Sequence, residues 1–355
     1  MMRTVTPLKL SQRQRLDLEK HTPLNKPDGK NTLDLIERLC QAKSLVMLNK
    51  GVLSKLDELL QQMPNFRQPI QDLKAQLLMA AHCNRPFVFK PMILGGEPGV
   101  GKSLFAYQLA QILGLPFYEE SFEKATTGMI LTGTSKKWSN GSAGAVAQRI
   151  AQSPVANFVF FIDEIDKSSR NAHYPSPINA LHGLWEKDTA KRFQDEFLAL
   201  PIDASHINWI AAANDVNKIP ESILSRAHVY WIWQPDVKQM GQIAQKMYRQ
   251  LRVQMKLKRC SSAKLSYDIL NKLQNHSPRE VQKRLEQAMG RALVEYEERI
   301  KQTANHQRHT ITLQLCERHF PMMYDDIMQL ECTTLMQWHE KEMAEKMDEP
   351  TGFIH

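Results

Sequence analysis

Apolar residues recur along the chain with two spacings, one typical of helices and the other typical of buried strands. Helical spacing, with apolar residues three and four positions apart, runs through residues 31–62, 69–82, 103–113 and 145–151. Continuous apolar runs, which are typical of strands buried on both faces, occupy residues 91–94, 115–118, 157–162 and 207–213. This alternation predicts an α/β fold in which helices flank a parallel sheet and the functional site lies at the carboxyl ends of the strands.

The pattern changes after Pro235, where helical spacing alone continues through residues 237–251, 265–273 and 278–300. The first 30 residues are polar and contain several prolines, so we expect a flexible or loosely docked arm there. The last helical stretch, residues 320–347, is rich in Met and contains Trp338, which fits either a core helix or an adaptable helix that docks a partner. We therefore divide the chain into residues 1–69, 70–234, 235–318 and 319–355.

The composition indicates the expected cellular location of the protein but does not identify its partner. With 42% hydrophobic and 24% charged residues, the 355-residue chain resembles ordinary soluble proteins, and its longest apolar run is too short to cross a bilayer. We see no signal peptide, and the five scattered cysteines indicate neither disulfides nor zinc, so we expect a cytoplasmic protein with no membrane partner. The net charge of +8 allows a nucleic-acid partner, but the basic cluster at residues 246–259 fits a solvated helix face better.

One uninterrupted motif follows the first predicted strand and opens a helix. It matches the phosphate-binding pattern G-x-x-x-x-G-K-[ST], in which backbone N–H groups and a helix N-terminus surround an anionic phosphate. The residues of this phosphate loop are Gly96, Glu97, Pro98, Gly99, Val100, Gly101, Lys102 and Ser103. We expect Lys102 to reach the β- and γ-phosphates of ATP and Ser103 to bind Mg²⁺.

Polar side chains follow the two long apolar runs. Asp163 and Glu164 end the run at residues 157–162, in the arrangement called Walker B. Asp163 is expected to hold Mg²⁺ through water, and Glu164 to polarise the attacking water as general base. Asn214 ends the run at residues 207–213, where its amide can position that water beside the γ-phosphate.

Taken together, these motifs resemble an AAA+ ATPase, and more narrowly the ATPase module of Lon proteases, over roughly residues 70–315. The resemblance rests on the phosphate loop and, after it, on Phe161-Ile162-Asp163-Glu164-Ile165-Asp166-Lys167, Ala213-Asn214-Asp215, Leu224-Ser225-Arg226 and Ser277-Pro278-Arg279-Glu280. It implies an AAA+ P-loop fold with a five-stranded type of parallel sheet, a small all-α lid and helical extensions at both ends. It also implies that Asn214 is sensor 1, that Arg226 is an arginine finger acting on a neighbouring subunit, and that Arg279 is sensor 2.

The resemblance extends to two loops that would line the central pore of a ring, for which a hexamer is the family default. In the first, Lys137, Trp138 and Ser139 occupy the position where Lon-like ATPases place an aromatic and an aliphatic residue, and Ser139 departs from that pattern. The second loop is residues 191–197. Because a Trp in a loop rich in Gly, Ser and Lys cannot be buried by its neighbours, Trp138 either docks elsewhere or faces a partner.

The expected function is ATP hydrolysis that drives protein remodelling or unfolding, with a protein substrate or a separate effector as partner. We expect no protease, because residues 141–144 only resemble the nucleophile motif of the Lon peptidase and precede the Walker B strand. Two alternatives stay open. One is a motor or loader directed by nucleic acid, and the other is a nucleotide-gated assembly switch that recruits a partner effector.

Overall fold

The computed structural model describes residues 3–14, 27–47, 51–123, 129–135, 141–168, 176–257, 260–302 and 312–320. The chain forms two compact units. The first comprises Met1–Gln239 together with Ser277–Arg279, and the second comprises Met240–His276 and Glu280–His355. The finer division at residues 69, 234 and 318 stays a prediction.

The first unit alternates strands and helices. Its strands are β1 (Arg3–Val5), β2 (Lys43–Leu45), β3 (Met92–Gly95), β4 (Phe117–Ser121), β5 (Val159–Asp163), β6 (Phe193–Gln194), β7 (Pro201–Ile202), β8 (Asn208–Ala213) and β9 (His228–Trp231). Its helices are α1 (Pro27–Cys40), α2 (Gly51–Gln62), α3 (Arg67–His82), α4 (Lys102–Leu113), α5 (Met129–Thr132), α6 (Ala145–Gln152), α7 (Ile178–Leu184), α8 (Lys187–Ala190) and α9 (Glu221–Leu224). Helix α10 (Val237–Gln254) begins in this unit and continues into the second.

A five-stranded parallel sheet runs through the first unit in the order β4-β5-β8-β3-β9. The register pairs Gly95 with Ala213 and Ile162 with Ala211, so β5, β8 and β3 end side by side. This arrangement confirms the predicted α/β fold with a five-stranded parallel sheet and flanking helices. It also brings together the three chain segments that follow these strands.

Two hydrophobic cores cover the two faces of this sheet. Side chains of β5 alternate between them: Phe160 belongs to one core and Phe161 to the other, and both are fully buried. Helices α1, α6 and α7 contribute to the first core, and α2, α3 and α4 to the second. Because every second residue of a strand faces the same side, a strand that is apolar at every position must be covered on both faces.

Two buried asparagines connect the amino-terminal ends of the strands to distant segments. Asn157, just before β5, bonds Val46 through both amide atoms, with Oδ1 accepting from the Val46 N–H at 2.9 Å. Asn208 opens β8, where its Oδ1 accepts the Phe89 N–H at 2.8 Å and its Nδ2 donates to the Asn157 carbonyl at 2.8 Å. Both side chains are fully buried, and these bonds satisfy backbone groups that the sheet itself leaves unpaired.

The second unit is helical, as predicted for the lid. Besides most of α10 it contains α11 (Tyr267–Leu273) and α12 (Pro278–Gln302), whose first residues belong to the first unit. Its core gathers apolar side chains from all three helices and from the segment at 312–320, including Tyr248, Ile269, Leu285 and Leu313. No helix among the described residues is long and apolar enough to span a membrane.

The start of the chain is more ordered than predicted. Strand β1 pairs antiparallel with β2, and Leu8 is buried in the core and donates its N–H to the Leu39 carbonyl. The prediction of a flexible or loosely docked arm is therefore wrong for residues 3–8. Strand β2 also interrupts the helical pattern predicted over residues 31–62. Three-residue strands are too short to show a periodicity, and their pairing partners lie far along the chain.

The basic cluster at residues 246–259 is not uniformly solvated. Arg252 is buried, and its guanidinium donates from Nε to Ser261 Oγ at 2.8 Å and from Nη2 to the Ser261 carbonyl at 2.6 Å. Arg249 and Lys256 are exposed. At Arg252 the expectation of a solvated face is therefore wrong, because Ser261, nine residues away, accepts hydrogen bonds from the buried guanidinium.

Candidate active site

The phosphate loop leaves the carboxyl end of β3 and enters α4. Gly96 has φ 151°, and a Cβ there would lie 2.3 Å from the Ile232 carbonyl oxygen, so only glycine fits at this close approach. Helix α4 begins at Lys102, and its first backbone N–H groups lie at the loop. This combination of a tight backbone turn and a helix N-terminus suits an anion.

Lys102 lies at the centre of the site. The residue is 8% exposed, and its Nζ donates to the carbonyl oxygens of Gly96 and Glu97, the latter at 3.1 Å. It also donates to Asn214 Oδ1 at 2.9 Å, across 112 positions of sequence. Burial lowers the pKa of Lys102, and the nearby carboxylates of Asp163 and Asp166 oppose that shift. The structure thus joins the predicted phosphate-binding lysine directly to the predicted sensor.

The Walker B carboxylates follow β5, the strand next to β8. Asp163 Oδ1 accepts the N–H of Glu164 at 3.0 Å. Glu164 has φ 53° and ψ 46°, a left-handed conformation that costs a residue with a side chain roughly 1–3 kcal/mol. Backbone strain of this kind clusters at functional sites, and here it falls on the residue predicted to be the general base.

Lys167 and Glu123, to which the sequence assigned no role, contact the Glu164 carboxylate. Lys167 Nζ lies 2.7 Å from the Glu164 carboxylate and 2.7 Å from that of Glu123, which follows β4. The hydrogen bond from Lys167 lowers the pKa of Glu164, while the hydrogen bond with Glu123 and partial burial raise it, and the net shift is upward. The spacing of three residues between Glu164 and Lys167 was a local signal for this pair, whereas nothing local indicated Glu123.

Two further hydrogen bonds connect segments around the site. Asp166 Oδ2 accepts the N–H of Asp215 at 3.1 Å and so links the turn after β5 to the turn after β8. Its Oδ1 is buried and has no hydrogen-bond partner among the described atoms. The Asn65 side chain donates to the Val100 carbonyl of the phosphate loop at 3.3 Å. The sequence showed Asn65 only as part of a break between two helices.

Arg226 does not lie with these groups. It lies two residues before β9. Its Nε is 3.2 Å from the Glu186 carboxylate, and its Nη1 donates to the Ser222 carbonyl. It lines a cavity of about 480 Å³ together with Pro91 and Ile207, which precede β3 and β8. Arg226 is therefore at the amino edge of the sheet, opposite the phosphate loop.

The remaining predicted residues fall into two groups. Arg279 belongs to the first unit, and a Cβ at Gly99 would lie 3.3 Å from the Arg279 Cβ, so its backbone adjoins the phosphate loop. Ser103 is exposed in the first turn of α4. The pore-loop residues Lys137, Trp138 and Ser139 lie outside the described residues.

Comparisons with known proteins agree with this geometry. Residues 92–232 match the model of the ATPase family associated with various cellular activities (AAA). A Lon protease of Borrelia duttonii is 26% identical over 200 residues, which are 56% of this chain and 24% of that protein. A Lon protease of Mycoplasma genitalium is 32% identical over 139 residues, which are 39% of this chain and 17% of that protein. The matched region is thus a quarter or less of each of these relatives.

A solved structure shares the fold. A chain in a closed-state cryo-EM reconstruction of Hsp104 with ATPγS and casein superposes with a TM-score of 0.55 and 13% identity. The superposition covers 72% of this chain and 49% of that chain. Residues 92–232 therefore match the AAA ATPase family on an AAA+ fold, and this region is similar in sequence to the Lon proteases.

Proposed function

We propose that this chain is a Mg²⁺-dependent ATPase that works as a ring and remodels or unfolds protein substrates through a central pore. The observation that supports this best is the convergence at the carboxyl edge of the sheet, where Lys102 bonds Asn214 beside the carboxylates that follow β5. Membership of residues 92–232 in the AAA family implies ATP hydrolysis as the chemistry.

The phosphate loop and Lys102 would bind the triphosphate. The acceptors that Lys102 now contacts are neutral carbonyl and amide oxygens. A phosphate oxygen is a charged acceptor, and hydrogen bonds between charged partners are roughly twice as strong as neutral ones. We therefore expect the lysine to exchange these contacts for the phosphates when the nucleotide binds.

The oxygen donors near the loop fit Mg²⁺, which favours a few protein oxygens together with waters and substrate phosphates. The Ser103 hydroxyl is exposed, the Asp163 carboxylate is partly exposed, and the unpartnered Oδ1 of Asp166 adds a buried acceptor nearby. When bound, the ion would neutralise charge on the phosphates. Ser103 and Asp163 are the residues we assign to hold it.

Glu164 and Asn214 would act on the attacking water. A carboxylate whose pKa is raised is a stronger base, provided that it stays ionised at working pH. Its ion pair with Lys167 must loosen before the carboxylate can contact the water. The Asn214 amide, next to Lys102, would orient the same water.

Arg226 would complete the site of a neighbouring subunit. Because it lies at the amino edge of its own sheet, it is remote from its own phosphate loop. A ring, with a hexamer as the family default, would bring the amino edge of one subunit to the carboxyl edge of the next. The ion pair with Glu186 is half-exposed and worth about 0–1 kcal/mol, so it is easily exchanged for a phosphate.

Steady-state ATP hydrolysis, measured alone, with unfolded casein, and with single- or double-stranded DNA, tests this proposal. Stimulation by casein that disappears in Trp138→Ala, but persists in the control Tyr267→Ala at a 75% exposed aromatic, supports a threading remodeller. Stimulation by DNA alone would replace it with the nucleic-acid motor. A basal rate that neither ligand changes would replace it with the assembly switch.

A further inference from the structure

We propose that Asp195 is a positioning residue that fastens two segments into one rigid support for substrate binding. The first segment is the neck, residues 132–134 and 142–144, which flanks residues 135–141, including Trp138, along the chain. The second is the hairpin segment, residues 193–202, which contains β6 and β7. This inference rests on the proposed function, because it assigns the support to the loops that would contact a protein substrate.

The neck is closed by short contacts between its two sides. The Thr134 N–H donates to the Ser142 carbonyl at 2.8 Å, and the Ser142 N–H donates to Thr134 Oγ1 at 2.8 Å. A Cβ at Gly144 would lie 2.2 Å from the Leu131 carbonyl oxygen, so the two sides meet more closely than any side chain allows. Ser142 is thus part of a hydrogen-bonded neck, and we assign it no peptidase chemistry.

Asp195 bonds both segments with different oxygens. Its Oδ2 accepts the N–H of Gly144 in the neck at 2.8 Å. Its Oδ1 accepts the N–H groups of Phe197 and Leu198 in the hairpin segment, at 3.0 Å and 2.9 Å. A backbone bond runs in parallel, from the Glu196 N–H to the Thr132 carbonyl at 2.7 Å. One carboxylate therefore joins two segments that are about 50 residues apart.

Burial of this carboxylate makes its hydrogen bonds to both segments necessary. Asp195 is 0% exposed, and burial raises its pKa although the backbone N–H groups of Leu198, Gly144 and Phe197 lower it. Burying a charge is unfavourable unless hydrogen bonds compensate it. An asparagine would avoid the charge, but its amide has one acceptor oxygen where a carboxylate has two. Hydrogen bonding to both segments at once therefore requires the two oxygens of the Asp195 carboxylate.

The attachment of the neck to the hairpin segment would determine how a movement of that segment reaches a bound substrate. Residues 135–141, which include Trp138, join the two sides of the neck along the chain. A movement of the hairpin segment would therefore be transmitted to them only if the neck is fixed to that segment. Asp195 supplies that attachment from a buried position, without contacting the substrate. The residue is thus expected to control the response to substrate rather than nucleotide binding.

The test compares Asp195→Ala, Asp195→Asn and the control Asp188→Asn, whose carboxylate has a side-chain exposure of 92%. Amide hydrogen exchange is followed in peptides covering residues 141–152 and 193–202, and ATP hydrolysis is measured with and without casein. In Asp195→Ala we expect exchange to quicken about tenfold or more in both peptides, because charge-assisted bonds to both segments are lost. In Asp195→Asn, which keeps one attachment, we expect faster exchange in one peptide alone.

In both Asp195 variants we expect the ratio of casein-stimulated to basal hydrolysis to fall towards one, while Asp188→Asn keeps the ratio of the unaltered protein. Normal stimulation by casein in Asp195→Asn, despite faster exchange in one peptide, would overturn the inference. Faster exchange confined to residues 193–202 in both variants would also overturn it. If casein does not stimulate the unaltered protein, the proposed function fails instead, and the exchange data still decide whether Asp195 joins the two segments.

Discussion

At the carboxyl edge of the central sheet, several side chains are charged, and two residues are in energetically unfavourable states. Lys102 is buried with a lowered pKa, and Glu164 adopts a left-handed backbone. At the amino edge of the same strands, the neutral amides of Asn157 and Asn208 are buried and bond neighbouring backbone groups. At the carboxyl edge, a ligand could replace the present contacts of the charged side chains. At the amino edge, the two asparagines already have their hydrogen-bond partners. The amino edge also carries charged side chains, and Arg226 is the one to which we assign a role in a neighbouring subunit.

Replacing that cation should have the largest effect on activity. An arginine finger contributes about 10³-fold or more to turnover, so we expect Arg226→Ala to lower kcat by about that factor while rings still assemble. Sedimentation and ATP hydrolysis at saturating ATP provide the measurements, with the exposed Arg85→Ala as control. Full activity in Arg226→Ala would show that the amino edge takes no part in catalysis.

Replacing the proposed base should have the next largest effect. General-base catalysis contributes about 10²-fold or more, so we expect Glu164→Gln to lower kcat by that factor and to bind ATP as well as the unaltered protein. Binding of a fluorescent ATP analogue and single-turnover hydrolysis separate the two steps. Glu221→Gln, at an exposed position before Arg226, is the control. Retention of most of the rate in Glu164→Gln would refute the assignment.

The amino edge should respond to mutation in stability rather than in activity. Asn208→Ala leaves the Phe89 N–H and the Asn157 carbonyl without their buried partner, which we expect to lower the free energy of unfolding by about 2–4 kcal/mol. Urea unfolding measures this loss, and the affinity of the folded fraction for ATP should not change. The exposed Asn217→Ala is the matched control. A loss of ATP affinity without a loss of stability would contradict the structural role that we assign to the amino edge.

The smallest predicted effect is a shift in pH dependence. If Glu164 is the general base, as we propose, turnover requires its ionised form, so kcat/KM should fall as pH drops through its pKa. Removing the hydrogen bond from Lys167, which lowers this pKa, should move the acid limb of the profile to higher pH in Lys167→Ala. Removing the carboxylate of Glu123, which raises it, should move the limb to lower pH in Glu123→Gln. Shifts in the same direction would contradict this account of Glu164.

The carboxyl edge was largely predictable from the sequence, because its groups follow recognisable strands or form one contiguous motif. A buried strand that ends in Asp163 and Glu164, and another that ends in Asn214, have their carboxyl ends at the same edge of a parallel sheet. The structure adds that Lys102 and Asn214 are in direct contact at that edge. By contrast, the burial of Leu8, the role of Asn65 and the two-sided bonding of Asp195 depend on pairing between distant short segments. Such contacts leave no periodicity in the sequence.

We propose that the carboxyl edge of one subunit and the amino edge of the next form one catalytic site. An experiment that mixes Lys102→Ala with Arg226→Ala subunits examines this, since each variant alone should be nearly inactive. In a mixed ring, the intact phosphate loop of an Arg226→Ala subunit can lie beside the intact Arg226 of a Lys102→Ala neighbour. We therefore expect mixing to restore a substantial part of the ATPase rate. Rings that mix, as shown by exchange of labelled subunits, but remain inactive would contradict it.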